Sequence, residues 1–159
     1  MIECTLVLIK PDGIKRGLIG ELIKRFEQRG LKIVGMKMVW MTKELSQKHY
    51  AAHVKKPFYK AVEAFMTSSP VVAMVIEGVH AVEYVRKVTG ATEPKSADVG
   101  TIRGDFAHLS YEHADKRGIT LMNLVHASGT KEEAQAEIKL WFKEAELFDY
   151  ETGHDPYVR

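Results

Sequence analysis

Residues 2–26 read IECTLVLIKPDGIKRGLIGELIKRF, and this stretch sets the fold class of the N-terminal part of the chain. Ile2–Ile9 is a short apolar run rich in strand-forming residues, which indicates a buried strand. Pro11 lacks an amide hydrogen and Gly13 permits unusual backbone angles, so a loop begins there. Beyond the loop, apolar residues recur at the spacing of one helix face: Ile19, Leu22, Ile23 and Phe26. The stretch therefore predicts a strand followed by an amphipathic helix.

Three further apolar runs extend this pattern. Leu31–Met41 alternates in polarity, Pro70–Glu77 (PVVAMVIE) is continuously apolar, and Leu121–Val125 is the last such run. Each predicts a strand, and helical patterns between them give the order β-α-β, two helices, then β-α-β-α. Strict alternation favours a parallel, doubly wound sheet, whereas two βαβ units joined by an insertion suit a split βαβ, ferredoxin-like sheet equally well. Periodicity leaves both architectures open.

Length and composition restrict the class of protein. The 159 residues are 45% hydrophobic and 28% charged, which predicts one folded domain spanning residues 1–159. Lys and Arg number 23 against 21 Asp and Glu, a balance too even to indicate a nucleic-acid partner. The absence of any apolar run of about eighteen residues predicts no membrane span. The lone Cys4 excludes an intrachain disulfide and favours a reducing, cytoplasmic location.

Two common phosphate-binding signatures are missing, since the sequence has no GxxxxGK followed by Ser or Thr and no GxGxxG after the first strand. The strongest candidate for chemistry is instead NLVHASGT at residues 123–130. His126 immediately precedes a predicted helix whose free amides attract anions, and an imidazole nitrogen is a competent nucleophile. The small residues Ala127, Ser128 and Gly129 leave room beside it for a phosphoryl group.

A carboxylate strengthens this candidate. Glu137 falls between Ala134 and Trp141 on the apolar face of the last long helix, where a charge is costly unless it has a partner. A histidine or a hydroxyl group nearby would supply that partner. The alternative interpretation is that His126 is an ordinary core histidine and that Glu137 lies at the edge of the apolar face.

A second set of candidates is cationic. Lys10 ends the first strand, Arg86 lies in the last turn of a helix, and Arg103 shares a long polar loop with Thr92. Arginine presents a planar set of donors that suits phosphate oxygens. Each residue also has a simpler explanation, because Arg86 would complement its helix dipole and Lys10 would be a solvated strand end.

Aromatic and imidazole side chains around residue 50 are weaker candidates. His49 and His53 lie four residues apart on a helix, a spacing compatible with a metal site. No third ligand is evident, so a solvated pair is the expected arrangement. Tyr50 and Phe58 have the rings to stack on a nucleobase, although an amphipathic helix needs such residues for its core as well.

Several ordered motifs cover nearly the whole chain: TLVLIKPDGIKRGLIGEL, then HYAAH and KKPFY, then GTIRGDF, and finally NLVHASGTKEEAQAEI. Together they resemble the nucleoside diphosphate kinase family. The resemblance implies an α+β fold of the ferredoxin-like, split βαβ type, with a four-stranded antiparallel sheet covered by helices. It also implies transfer of the γ-phosphoryl group of a nucleoside triphosphate to a nucleoside diphosphate, by a ping-pong mechanism through a phosphohistidine.

The resemblance further implies a role for each candidate residue. His126 matches the nucleophile of the family, and Asn123 in the same motif matches a residue that contacts the sugar. Lys10 matches a lysine that contacts the sugar hydroxyl and the phosphates, and Phe58 matches the aromatic residue that stacks on the base. The positions that hold phosphate are matched by Arg86, Thr92 and Arg103, and those that support the histidine by Tyr50, Ser128 and Glu137.

The family also implies partners. Mg²⁺ would bridge the phosphates of the nucleotide with few or no protein ligands, and no residue is assigned to the metal. A homo-oligomer is implied, with a hexamer favoured and a tetramer as the alternative. The competing functional hypothesis is a catalytically silent module on the same fold that binds nucleotides for regulation or interacts with nucleic acid.

Two features depart from the usual family pattern. Gly129 stands where an Asp is usual, which removes a helix cap that Thr130 would replace one position later. The chain between Phe106 and Asn123 is longer than the commoner pattern and is polar, so we interpret it as a surface insertion.

Overall fold

The computed structural model describes residues 1–158. The strands are β1 (Ile2–Ile9), β2 (Lys32–Val39), β3 (Val71–Val79) and β4 (Val125–Ala127). The helices are α1 (Pro11–Lys15), α2 (Ile19–Glu27), α3 (Lys43–His49), α4 (Tyr59–Met66), α5 (Ala81–Thr89), α6 (Ile102–Phe106), α7 (Tyr111–Lys116), α8 (Lys131–Trp141) and α9 (Asp155–Val158). Short 3-10 turns occur at Pro94–Ser96 and Glu144–Glu146.

The four strands form one sheet in the order β2-β3-β1-β4. β1 runs antiparallel to β3 on one side and to β4 on the other, and β2 runs antiparallel to β3. With helices connecting the strands, this is the ferredoxin-like, split βαβ arrangement. The expectation of an antiparallel α+β sheet is therefore confirmed, and the parallel, doubly wound alternative is wrong.

The central strand β1 packs against a helical layer on each face of the sheet. Its last four residues are fully buried and alternate between the two layers, as the pleat requires. One layer contains Val7, Ile9, Leu22, Phe26 and Val85, and the other contains Leu6, Leu8, Met66 and Trp141. Burial of each such side chain stabilises the fold by about 1.5–3 kcal/mol, and the rigid strand carries Lys10 at its C-terminal end.

The prediction of a strand over Leu121–Val125 is wrong, because β4 begins only at Val125. Leu124 has a φ of 72°, which is incompatible with an extended strand. Instead, the Val125 amide donates a hydrogen bond to the Asn123 carbonyl at 2.8 Å, so residues 123–125 form a γ-turn. The conformation of this turn therefore sets the directions in which the Asn123 and His126 side chains project.

The polar segment between Phe106 and Asn123 forms α7, in which Ala114 is the buried residue. The amide of Tyr111 donates to Glu93 Oε1 at 2.9 Å, which ties the segment to the preceding loop. Within residues 1–158, no helix has the length and apolar character needed to cross a bilayer.

Candidate active site

His126 lies in the middle of β4 and faces a carboxylate from α8. Its Nε2 atom is 3.0 Å from each carboxylate oxygen of Glu137. The fully buried Ser128 donates from Oγ to Glu137 Oε2 at 2.6 Å. These three residues, which the sequence placed on one strand end and one helix, are thus brought into direct contact. With the proton on Nε2, the ring donates to Glu137 and its Nδ1 atom keeps a free lone pair.

The electrostatic state of Glu137 follows from these contacts. Burial would raise its pKa, but the hydrogen bonds from His126 and Ser128 outweigh burial and hold the pKa below its ordinary value. Glu137 is therefore an anion at neutral pH. An anion fixed at Nε2 sets the ring orientation and stabilises any positive charge that the ring acquires.

A polar network joins the end of β1 to the γ-turn. Lys10 Nζ donates to Asn123 Oδ1 at 2.7 Å, and Asn123 Nδ2 donates to the Thr92 carbonyl at 2.9 Å. Burial, with the nearby Arg103 charge, lowers the pKa of Lys10 to about 8, against the opposing effect of Asp12. Lys10 therefore remains mainly protonated at neutral pH.

Arg103 is buried beneath the same turn, with 8% of its surface exposed. Its guanidinium donates to the carbonyls of Gly90, Asn123 and Val125 at 2.9, 3.2 and 2.7 Å. Burial, followed by repulsion from Arg86, lowers the pKa of Arg103 to about 10. Since arginine has five N–H donors, these three bonds leave two for a ligand.

The cationic side chains open onto one cavity of about 240 Å³. The sequence-predicted residues in its lining are Lys10, Arg86, Thr92, Arg103, Asn123 and His126. Lys10 and Arg103 have lowered pKa values because burial and a neighbouring arginine outweigh the opposing effect of Asp12. A cavity of this kind stabilises an anionic ligand, and the imidazole of His126 lies at its wall.

A second cavity, of about 390 Å³, is also lined by His126 and includes Tyr50, His53 and Glu137 in its lining. Burial, with the nearby Glu137 charge, raises the pKa of Tyr50 above its ordinary range, so its hydroxyl stays protonated. Phe58 is 52% exposed and is not among the described residues lining either cavity. Its ring centroid lies 5.8 Å from that of His53, which places it next to the second cavity.

His49 is the residue that sequence reasoning misplaced. The prediction of a solvated pair is wrong for His49, whose side chain is 1% exposed. Trp141 Nε1 donates to its Nδ1 atom at 3.2 Å, and its ring meets the His126 ring edge-to-face with centroids 4.6 Å apart. Burial, followed by repulsion from His126, lowers the pKa of His49 to about 3. His49 is therefore a neutral packing partner of His126.

His49, His126 and Glu137 each bring one donor atom to within 4.8 Å of the others. Such a trio has the chemistry to bind a transition metal. Glu137 accepts hydrogen bonds from His126 and Ser128, and His49 Nδ1 accepts one from Trp141, whereas the buried Nε2 atom of His49 has no hydrogen-bond partner among the described residues. The hydrogen bonds that the cluster does make all act to orient His126 or to hold Glu137 and His49 against it.

The helix start beside His126 lacks the Asp usual at position 129 but is capped one residue later. Thr130 Oγ1 accepts from the Glu133 amide at 3.1 Å, and Glu133 Oε2 accepts from the Gly129 amide at 2.9 Å. A Cβ atom at Gly129 would approach Glu133 Oε2 to 2.6 Å. The glycine therefore makes room for this reciprocal cap.

The sequence of this chain is similar to those of known proteins. A family model described as nucleoside diphosphate kinase matches residues 3–147. A nucleoside diphosphate kinase from Pyrococcus abyssi is 57% identical over 157 residues, which are 99% of this chain and 94% of that protein. One from Archaeoglobus fulgidus is 45% identical over 158 residues, which are 99% of this chain and 97% of that protein.

Solved structures show the same similarity. A transition state mimic of nucleoside-diphosphate kinase from Borrelia burgdorferi, with bound vanadate and ADP, matches with a TM-score of 0.94 at 40% identity. The match covers 99% of this chain and 96% of that one. A halophilic nucleoside diphosphate kinase from Halobacterium salinarum, in complex with CDP, matches with a TM-score of 0.88 at 41% identity. It covers 100% of this chain and 99% of that one.

Proposed function

The chain belongs to the nucleoside diphosphate kinase family and is a phosphotransferase, and from this premise we propose that His126 carries the transferred phosphoryl group. The enzyme moves the γ-phosphoryl group of a nucleoside triphosphate to a nucleoside diphosphate in two half-reactions. The observation that carries the assignment is the position of His126, which contacts Glu137 through Nε2 and lines the cationic cavity.

In the first half-reaction, the His126 Nδ1 lone pair forms a bond to the γ-phosphorus as the bridging bond between phosphorus and the β-phosphate oxygen breaks. The nucleoside diphosphate leaves with that electron pair. The ring becomes positively charged while its Nε2 proton stays hydrogen-bonded to Glu137, whose anionic charge compensates it. In the second half-reaction, a phosphate oxygen of another nucleoside diphosphate attacks the phosphorus and the N–P bond breaks.

The cationic cavity supplies the electrostatic part of this chemistry. Phosphoryl transfer depends mainly on positioning and on stabilising charge on the transferred oxygens. The half-buried Lys10 and the buried Arg103 line the same cavity as Arg86 and Thr92. We assign these four residues to the phosphates.

The sugar is assigned to residues that line the phosphate site, and the base to Phe58, beside the second cavity. Asn123 and Lys10 hydrogen-bond each other at 2.7 Å and together present polar groups suited to a sugar hydroxyl. Phe58 is half-exposed, so its ring face is available for stacking on a base. Stacking is tolerant of base identity, so broad use of nucleotides follows. Tyr50 and Ser128 support His126 and Glu137.

We assign Mg²⁺ to the nucleotide rather than to the protein. Mg²⁺ prefers carboxylate, phosphate and water oxygens. Among the described residues that line the cationic cavity, Glu133 is the one carboxylate, and it accepts from Gly129. The cavity therefore fits a metal that arrives on the phosphates, where it neutralises charge, while the cations of this chain orient the oxygens.

The direct test is the intact mass of the purified protein after mixing with ATP and Mg²⁺ in the absence of an acceptor. We expect a gain of one phosphoryl group that is acid-labile and that disappears when GDP is added. A protein that binds ATP but gains no mass would contradict the phosphohistidine assignment and favour the silent module.

We further propose that the enzyme is a homo-oligomer that uses the free side of β2, with a hexamer favoured. Met36, Met38 and Trp40 alternate along one face of the chain at β2 and are 55%, 58% and 63% exposed. β2 pairs with β3 only along its inner edge. Large apolar side chains on an edge strand are suited to burial against a second copy.

Light scattering after size exclusion tests this surface. We expect the wild-type enzyme to have the mass of a hexamer and Met38→Lys to shift it to smaller species, because a buried lysine without a partner is costly. Met122→Lys, which adds the same charge at an exposed methionine outside β2, is the matched control and should leave the mass unchanged. A monomeric wild-type enzyme, or a Met38→Lys variant of unchanged mass, would overturn the proposal.

Two further proposals concern the domain organisation and the location of the protein. We propose that residues 1–159 form one domain, since both core layers pack on the same sheet. We also propose a cytoplasmic location, where the single Cys4 remains a thiol and nucleotides are available.

A further inference from the structure

The γ-turn before His126 is held in a conformation that its sequence does not favour. Leu124 has a φ of 72° and is 1% exposed. A γ-turn with positive φ is rare and strained for a residue with a side chain. Such a turn persists only where surrounding contacts hold it. It separates Asn123 from the β4 segment that carries His126, so its conformation sets the relative position of both side chains.

Asp12 is the side chain that holds this turn at its centre. Its Oδ2 atom accepts a hydrogen bond from the Leu124 amide at 2.9 Å. On the other side of the same residue, the Lys10 amide donates to the Leu124 carbonyl at 2.8 Å. Residues at the N-terminal end of α1 therefore hydrogen-bond to both the amide and the carbonyl of Leu124.

The environment of Asp12 indicates a role beyond stability. The residue is 9% exposed, and among the described residues its buried Oδ1 atom has no hydrogen-bond partner. Burying a carboxylate with one unsatisfied oxygen is unfavourable. An apolar residue at this position would avoid that cost but would leave the Leu124 amide without an acceptor.

We propose that Asp12 is a positioning residue for phosphoryl transfer, which fixes Asn123 and His126 relative to each other by holding the strained turn at Leu124. The inference rests on the proposed function of His126. Asp12 acts through the backbone and does not contact the reacting atoms. Its charge also favours the protonated forms of Lys10 and Arg103, an effect that Asp12→Asn removes while keeping the acceptor for the Leu124 amide.

The test compares the rate of phosphohistidine formation at saturating ATP in a single turnover. We expect Asp12→Ala to lower this rate roughly ten- to a hundredfold, the loss that follows from one hydrogen bond to a charged group. Asp12→Asn keeps an oxygen acceptor for the Leu124 amide and should stay within about threefold of the wild type. Asp115→Ala, on the exposed face of α7, is the matched control.

A second substitution separates positioning from general destabilisation. Glycine adopts positive φ without strain, so Leu124→Gly in the Asp12→Ala background should recover most of the lost rate. Leu124→Ala removes similar packing but keeps a side chain at a positive φ, so the backbone strain remains and the lost rate should not recover. Should Asp12→Ala fail to fold, Asp12→Ser, whose side chain is too short to reach Leu124, takes its place in the comparison.

Each outcome decides the inference. Asp12→Ala with a lower Tm but an unchanged rate would show a purely structural role, and equal recovery by Leu124→Ala and Leu124→Gly would exclude the turn as the means of action. Both results would leave the assignment of His126 intact. Failure of the wild-type protein to form phosphohistidine would instead remove the proposed function itself.

Discussion

His126→Ala is expected to reduce phosphoryl transfer from ATP to GDP by at least about four orders of magnitude. Among the described residues, His126 has the only imidazole that both contacts Glu137 and lines the cationic cavity, and the substitution removes it. The remaining cations still bind ATP, so we expect nucleotide affinity to change far less than the rate. Stopped-flow mixing with coupled detection of GTP measures the rate of transfer, and equilibrium binding of ATP measures the nucleotide affinity.

The fold should survive this substitution. The His126 side chain is 22% exposed, and Glu137 keeps its hydrogen bond from Ser128, so Tm should fall by only a few degrees. His113→Ala, which truncates an exposed histidine on α7, should leave both rate and Tm unchanged. Retention of more than about one per cent of the activity by His126→Ala would place the phosphohistidine elsewhere.

The core of the fold was predictable because its signal is local. The apolar run of β1 ends at a proline, and the structure gives the same bounds, Ile2–Ile9. Whether the strands pair in parallel or antiparallel could not be predicted from local pattern, because it depends on contacts between residues far apart in sequence, such as Ile2 with Val79. Motifs resembling a known family supplied what periodicity left open.

The two clear errors near the site have a common physical cause. Leu121–Val125 is apolar enough for a strand, yet Leu124 is forced to positive φ by contacts from residues far away in sequence. His49 looks solvent-facing on its own helix, but Trp141, 92 residues later, covers it. Local pattern does not report constraints that tertiary contacts impose.

Arg103→Met is expected to have the second-largest effect, and it should act on stability and activity together. The change removes three hydrogen bonds, to the carbonyls of Gly90, Asn123 and Val125, of which the Asn123 carbonyl keeps its bond from the Val125 amide. Losing a hydrogen bond from a charged donor costs about 1.5–3 kcal/mol, so losing these three costs on the order of 5 kcal/mol. For a chain of this length, that cost lowers Tm by on the order of 10 °C. Thermal unfolding followed by circular dichroism measures it.

Activity should fall further than stability explains. A cation aimed at the transferred phosphoryl group contributes about a hundred- to a thousandfold in rate. Two N–H groups of Arg103 are free of the backbone bonds and available to that group. At a temperature well below the Tm of the variant, we therefore expect Arg103→Met to retain about 1% or less of the wild-type single-turnover rate.

Arg103→Lys separates the two contributions. Lysine keeps the positive charge but lacks the planar set of donors that spans three carbonyls. Its Tm should therefore resemble that of Arg103→Met, whereas its rate at low temperature should lie well above that of Arg103→Met. Equal rates for the lysine and methionine variants would mean that Arg103 acts only by shaping the turn at Leu124. A methionine variant with the full wild-type rate below its Tm would remove Arg103 from the phosphate site altogether.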